Sequence, residues 1–92
     1  MSGKRSRDKG ARAERDFAKR IGGRRVPLSG AMKGYKGDVI GLGMTWECKK
    51  RKGGFKTLYK WLGENDALAI QADRKEWLVV IPLYKFEELI DK

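Results

Sequence analysis

Apolar residues recur along this chain at two spacings. Between Gly10 and Ile21, Glu14, Phe17, Ala18 and Ile21 fall at i, i+3, i+4 and i+7, the stripe of an amphipathic helix, and Gly22-Gly23 stops it. Glu14 stands at the N-terminal end of that stripe, a place for a partly buried functional acid or for an edge residue reaching water. Arg24 to Leu28 reads as a short extended piece that Pro27 limits to an edge or a strand end. Val39 to Leu42 and Thr45 to Lys49 read as a hairpin, with Gly43-Met44 suiting a type II′ turn. That register sets Leu42 opposite Thr45, Ile40 opposite Glu47 and Asp38 opposite Lys49. Alternation sends Asp38, Glu47 and Lys49 to one face and Val39, Trp46 and Cys48 to the other. Phe55 to Gly63 reads as a second helix, with Phe55, Leu58, Tyr59 and Leu62 on its apolar stripe.

Ala67 to Ala72 reads as a strand. Trp77 to Pro82, apolar on both faces, reads as a central, doubly covered one. Leu83 to Lys92 closes the chain as a helix with Phe86, Leu89 and Ile90 inward. Trp77, Tyr84 and Phe86 fit either a core or a dimer contact, with core packing the expectation. The pattern predicts an α/β domain over residues 10–92, a mixed four- to five-stranded sheet flanked by helices. A flexible basic tail over residues 1–9 precedes it.

Ninety-two residues bury a modest core, which makes a homodimer an expectation. The single cysteine, Cys48, rules out an internal disulfide and fits a reducing, intracellular setting. The basic N-terminus has no apolar stretch after it, and the longest apolar run, Trp77 to Leu83, is far too short to span a bilayer. A cytoplasmic protein without a membrane partner is therefore expected. The absence of histidine excludes a histidine general base, a His-ligated zinc site and a Ser-His-Asp triad.

The net charge of +10 is unevenly spread. Arg24 to Lys60 carries ten basic and only two acidic residues, Asp38 and Glu47. A face built for a polyanion excludes carboxylates except where a cation must be held. The glycine-rich segment Ser29 to Gly37 contains Lys33, Tyr35 and Lys36 and lacks the spacing of a phosphate-binding P-loop. A basic, aromatic loop running into Asp38 suits closure over a nucleic-acid backbone. Lys49, Lys50, Arg51 and Lys52 form a run of cations fit for phosphates, and Lys56 and Lys60 share a further helix face.

Asp38 and Glu47 supply the one or two carboxylates that Mg²⁺ commonly takes alongside water and substrate phosphate, and the Cys48 backbone carbonyl offers another oxygen. Lys49 could position a water or stabilise transition-state charge. These residues suit phosphodiester hydrolysis. Read without chemistry, Asp38 and Lys49 make a cross-strand ion pair worth about 0.2–1 kcal/mol.

Gly37-Asp38 followed by Glu47-Cys48-Lys49 resembles the Asp…Glu-x-Lys signature of the PD-(D/E)xK nuclease superfamily, with Gly37 where its name has proline. Gly10-Ala-Arg-Ala-Glu14-Arg-Asp-Phe17 and Arg25-Val-Pro-Leu-Ser29-Gly30 are similar to the opening helix and the Arg-x-x-x-Ser-Gly segment of archaeal-type and phage Holliday-junction resolvases. The resemblance runs from about Gly10 to Arg51 and, more loosely, through the second helix and the last strands. It implies a restriction-endonuclease-like sheet, Mg²⁺- or Mn²⁺-dependent cleavage of branched DNA, and a homodimer working in a bacterial or archaeal host, in a phage or prophage setting. It also implies that Glu14, Asp38 and Glu47 are the metal-site acids and Lys49 the catalytic lysine, with Ser29 and Arg25 beside the scissile phosphate. Arg25, Lys33, Lys36, Lys50, Arg51, Lys52, Lys56 and Lys60 then form the DNA-binding set. The alternatives are a basic nucleic-acid-binding module without chemistry, or a related nuclease acting on flaps or linear duplex.

Overall fold

The computed structural model describes residues 2–26 and 37–91. It is a small mixed α/β protein with three helices and two antiparallel sheets. The chain divides into two compact units, Met1–Lys50 and Arg51–Lys92, where the sequence pattern predicts one domain with one mixed sheet. Every strand pairing among the described residues is antiparallel.

The first unit opens with α1 (Ser2–Ile21), which starts eight residues before the expected Gly10, across the stretch read as a tail. Its end is set by glycine. Gly22 turns left-handed at φ 70°, Gly22 N–H donates to the Lys19 carbonyl at 3.3 Å, and Gly23 N–H donates to the Ala18 carbonyl at 2.8 Å. That pair of bonds is the Schellman motif, which satisfies carbonyls the helix leaves open. Lys19 and Arg20 lie in the last turn, where cations complement the helix dipole.

β1 (Arg24–Arg25), β2 (Val39–Gly41) and β3 (Met44–Trp46) follow, in the order β1-β2-β3. β1 takes the edge position expected from Pro27. The core lies between α1 and this sheet: Ala18, Ile21, Val26 and Val39 are buried, Val39 completely. Phe17 meets Trp46 edge-to-face, ring centroids 5.1 Å apart. At Gly41 a Cβ would lie 2.6 Å from the Ile21 side chain, so helix and strand approach closely only without one.

The hairpin differs from expectation by one residue on each strand. Val39 pairs with Trp46, Ile40 with Thr45 and Gly41 with Met44, so the turn is Leu42-Gly43 and not Gly43-Met44. Leu42 has φ 57° and Gly43 φ 72°, the doubly left-handed pattern of a type I′ turn, whose twist matches the flanking strands. Asp38 is therefore not opposite Lys49, Ile40 not opposite Glu47, and Leu42 not opposite Thr45. Because both strands shift together, the alternation of faces is unchanged.

In the second unit, α2 (Lys56–Leu62) ends at Gly63, and Asn65 donates to the Leu62 carbonyl through both its backbone N–H, at 2.9 Å, and its side-chain amide, at 3.0 Å. β4 (Leu68–Ile70) pairs with β5 (Leu78–Val80), and α3 (Leu83–Ile90) follows Pro82. The Lys85 ammonium bridges Asp66 at 3.6 Å and Glu88 at 3.5 Å, and these two carboxylates raise its pKa. The expected central strand is not central. β5 has one strand neighbour, and Leu78 and Val79 are 61% and 66% exposed. Leu89 and Ile90 of α3, expected inward, are exposed too. Among the described residues no helix is long and apolar enough to cross a membrane.

Two substitutions test the backbone reading with opposite signs. Leu42 is exposed and carries a left-handed conformation that a β- or γ-carbon disfavours, so Leu42→Asn should stabilise by about 1 kcal/mol. Gly37 has φ 77°, and a Cβ there would lie 2.7 Å from the Trp46 carbonyl oxygen. Gly37→Ala should destabilise by about 2 kcal/mol. Urea unfolding of both variants checks the pair.

Candidate functional site

Gly37 sits where a proline could not. Proline fixes φ near −65°, and this position needs φ 77°. The turn it makes presents Asp38 at the mouth of the hairpin. There the regular ladder ends: Asp38 N–H donates to the Trp46 carbonyl at 2.7 Å, and Val26 N–H donates to the Asp38 carbonyl at 2.9 Å. The Asp38 carboxylate then accepts a hydrogen bond from the Cys48 N–H at 2.9 Å. A side-chain acceptor has replaced a ladder bond, which draws the chain leaving β3 against Asp38.

Glu14 reaches the same unit's sheet from α1. Its carboxylate accepts from the Arg25 Nε at 2.9 Å, and its side chain is 17% exposed. Of the two positions open to an acid at the end of the apolar stripe, Glu14 takes the partly buried one, with a guanidinium as partner. The bond uses Nε, and the terminal amino groups of Arg25 are separate donors in the same rigid fork. Glu47 and Lys49 are paired at 3.1 Å and more than half exposed, a contact worth about 0.2–1 kcal/mol.

The charges of the three acids all bear on the Cys48 thiol. Burial pushes the Cys48 thiol pKa above its ordinary 9.0, and the charges of Asp38, Glu14 and Glu47 push it further, in that order. Cys48 thus lies within electrostatic reach of Glu14 on α1 and of Asp38 and Glu47, which flank β2 and β3. Sequence reasoning assigned Cys48 only a backbone carbonyl and missed both this role of its thiol and the Glu14–Arg25 bond. The bond pairs residues eleven apart on different elements, which no local spacing reveals. The thiol's role had a signal in Cys48 lying between Glu47 and Lys49 in sequence.

Among the described residues no three His, Cys, Asp or Glu side chains gather closely enough to hold a metal ion by themselves. The donor chemistry nonetheless suits a hard divalent cation, which takes one or two carboxylates and completes its shell with water and phosphate oxygen.

Arg25, Lys50, Arg51, Lys52, Lys56 and Lys60 are exposed. Arg25, Lys50 and the acids belong to the first unit, the other four cations to the second. Ser29, Lys33 and Lys36, with the loop expected to close over a backbone, lie outside the described residues. No protein-family model, curated protein or solved structure compared with this chain matches it.

The raised thiol pKa has a sign that can be tested. The stabilisation tied to the protonated thiol is complete below its unfolded value and is lost as pH rises through the folded one, so alkaline pH weakens the fold here. Removing a neighbouring charge should increase the thiolate fraction at mildly alkaline pH. Asp38→Asn should therefore speed alkylation of Cys48 by iodoacetamide most, Glu14→Gln less and Glu47→Gln least. Equal rates in all four proteins would show that the acids do not share the region.

Proposed function

We propose that this protein is a divalent-metal-dependent DNA endonuclease, selective for branched DNA and closest in design to a junction resolvase of phage or prophage type. The reading is supported by Asp38 tied to the Cys48 amide beside Glu47, and by Glu14 bonded to Arg25 on the adjoining strand, within a unit that is otherwise strongly basic. Residues 1–50 hold fourteen basic and five acidic side chains, nine of the ten net positive charges. Three of those five acids, Glu14, Asp38 and Glu47, lie on or beside the same three-stranded sheet. In a polyanion-binding unit that arrangement repels the ligand unless a cation sits between.

Asp38 and Glu47, with Glu14, would hold Mg²⁺ or Mn²⁺. Bound there, the ion would polarise a phosphate and lower the pKa of its water. The remaining work belongs to the chain. Lys49 Nζ, held near Glu47 by their ion pair, has further protons to offer a non-bridging phosphate oxygen or an attacking water. Arg25, oriented through its Nε by Glu14, has its terminal amino groups for the adjoining phosphate. The Cys48 N–H bond fixes one oxygen of Asp38 and so aims the other. Cys48 has no nucleophilic part, because its thiol is held protonated and no histidine exists to activate it.

A second reading has its own support. Each of the three acids already has a protein partner: Arg25 for Glu14, the Cys48 amide for Asp38 and Lys49 for Glu47. A basic binding module without chemistry would use them as internal ties.

Incubation with a four-way junction, a flap and a linear duplex at matched salt, with and without Mg²⁺ or Mn²⁺, separates the readings. Under the first, the junction is cut only with metal, and Asp38→Asn slows cutting by roughly a hundredfold or more while binding persists. Preferred cutting of the flap or the linear duplex would move the substrate assignment but keep the chemistry. Binding without cutting by any metal would establish the binding module.

A further inference from the structure

The outer face of α1 carries a concentration of charge that the candidate site does not use. From Lys9 to Arg20 the exposed residues are Lys9, Arg12, Arg15, Asp16, Lys19 and Arg20, all of them charged and five of the six basic. At 3.6 residues per turn these six fill a single arc of about 140°. Every other residue of that stretch is partly or fully buried and lies on the remaining arc. Phe17 against Trp46 and Ile21 against Gly41 turn that remaining arc to the sheet, and Glu14 bonds Arg25 from it. The cations therefore face away from the sheet and from Glu14. Among the described residues no ion pair holds Lys9, Arg12, Arg15 or Lys19. A face that only solvates a helix mixes the two signs and pairs them one turn apart. This one is nearly all of one sign.

We infer that this face of α1 is a docking surface for the backbone of duplex DNA, separate from the candidate site. From Lys9 to Arg20 the helix rises about 17 Å, and a duplex lying along it presents roughly ten phosphate charges over that length. No aromatic side chain lies on the arc, so unpaired bases find nothing to stack on and a duplex is favoured over a single strand. No Asn or Gln lies there to read adenine edges, so the surface positions DNA without selecting its sequence. A basic amphipathic helix can also lie on an anionic membrane, but it does so by inserting its apolar face. In α1 that face is occupied by the sheet. A helix is about 10 Å across, so a duplex held on the outer side is a different segment from one reaching Glu14 on the inner side. The inference rests on the reading of this unit as DNA-binding and does not depend on cleavage.

Fluorescence anisotropy of a labelled linear duplex with the full chain, in EDTA and across a salt series, decides it. Arg12→Gln combined with Lys19→Gln should lower the slope of log affinity against log salt by about two and weaken binding roughly tenfold or more at about 0.1 M salt. Lys9→Gln combined with Arg15→Gln should do the same and guards against a first pair that fails to fold. All four positions are exposed and glutamine is a good helix former, so circular dichroism should be unchanged. Asp16→Asn should tighten binding. Arg74→Gln combined with Lys75→Gln removes the same charge from the exposed turn between β4 and β5 and should leave the slope near that of the wild type. A slope that neither α1 pair changes overturns the proposal and leaves the nuclease reading standing. An equal drop from the Arg74 and Lys75 pair also overturns it, since net charge alone would then account for the effect. Binding to anionic phospholipid vesicles that the α1 pairs abolish, with duplex binding intact, would assign the face to a membrane surface instead. A wild-type chain that binds no DNA overturns this inference and the nuclease reading together.

Discussion

One hydrogen bond, from the Cys48 N–H to the Asp38 carboxylate, governs how the chain leaving β3 is held against the start of β2. A β-ladder satisfies backbone with backbone and keeps side chains at pleat spacing. Here an acid takes over as acceptor at the point where the ladder stops. The switch is possible because Gly37 turns the preceding backbone into a conformation closed to other residues, against the Trp46 carbonyl. The strand leaving β3 is thereby held beside β2, and Glu47, Cys48 and Lys49 stay within reach of Asp38. Val39 fixes the other side of the same hairpin: fully buried under α1, it anchors the register that sends Asp38 outward. The helix then brings Glu14 to the same region, because Phe17 and Ile21 on its stripe are seated against Trp46 and Gly41.

The electrostatics follow from this geometry. Carboxylates drawn together repel, and the protein offsets part of that cost with a guanidinium, an amide and an ammonium, one for each acid. Burial first, and then the charges of Asp38, Glu14 and Glu47, make the Cys48 thiol proton harder to remove.

Much of the first unit was legible in its residues. The stripe ending at Ile21, the double-glycine stop, the edge strand before Pro27 and the alternating faces of the hairpin all follow from local rules that local structure obeys. The hairpin register was misread for a physical reason. Turn chemistry favours glycine first, but the burial of Val39 opposite Trp46 places a leucine at φ 57° in that position, and packing outweighs the local preference. The partners of Glu14 and Asp38 were not legible, because each is fixed by a contact between separate elements. Ser29, Lys33 and Lys36 belong to a stretch outside the described residues, where the reading rests on sequence alone.

The second unit was misread more deeply, and the error is informative. Trp77 to Pro82 has the pattern of a strand covered on both sides, since apolar residues occupy both faces. Such a pattern records what a segment needs and leaves open which molecule supplies it. With β4 alone as strand neighbour and one face turned to its own helices, β5 has one requirement met and one unmet. A sequence that keeps Trp77 and Val79 apolar on an uncovered face bears an aggregation cost, unless association is specific and closes on itself. The two halves of this short chain are divided in electrostatic character, with nine of its ten net positive charges in the first and a nearly balanced set of charges in the second.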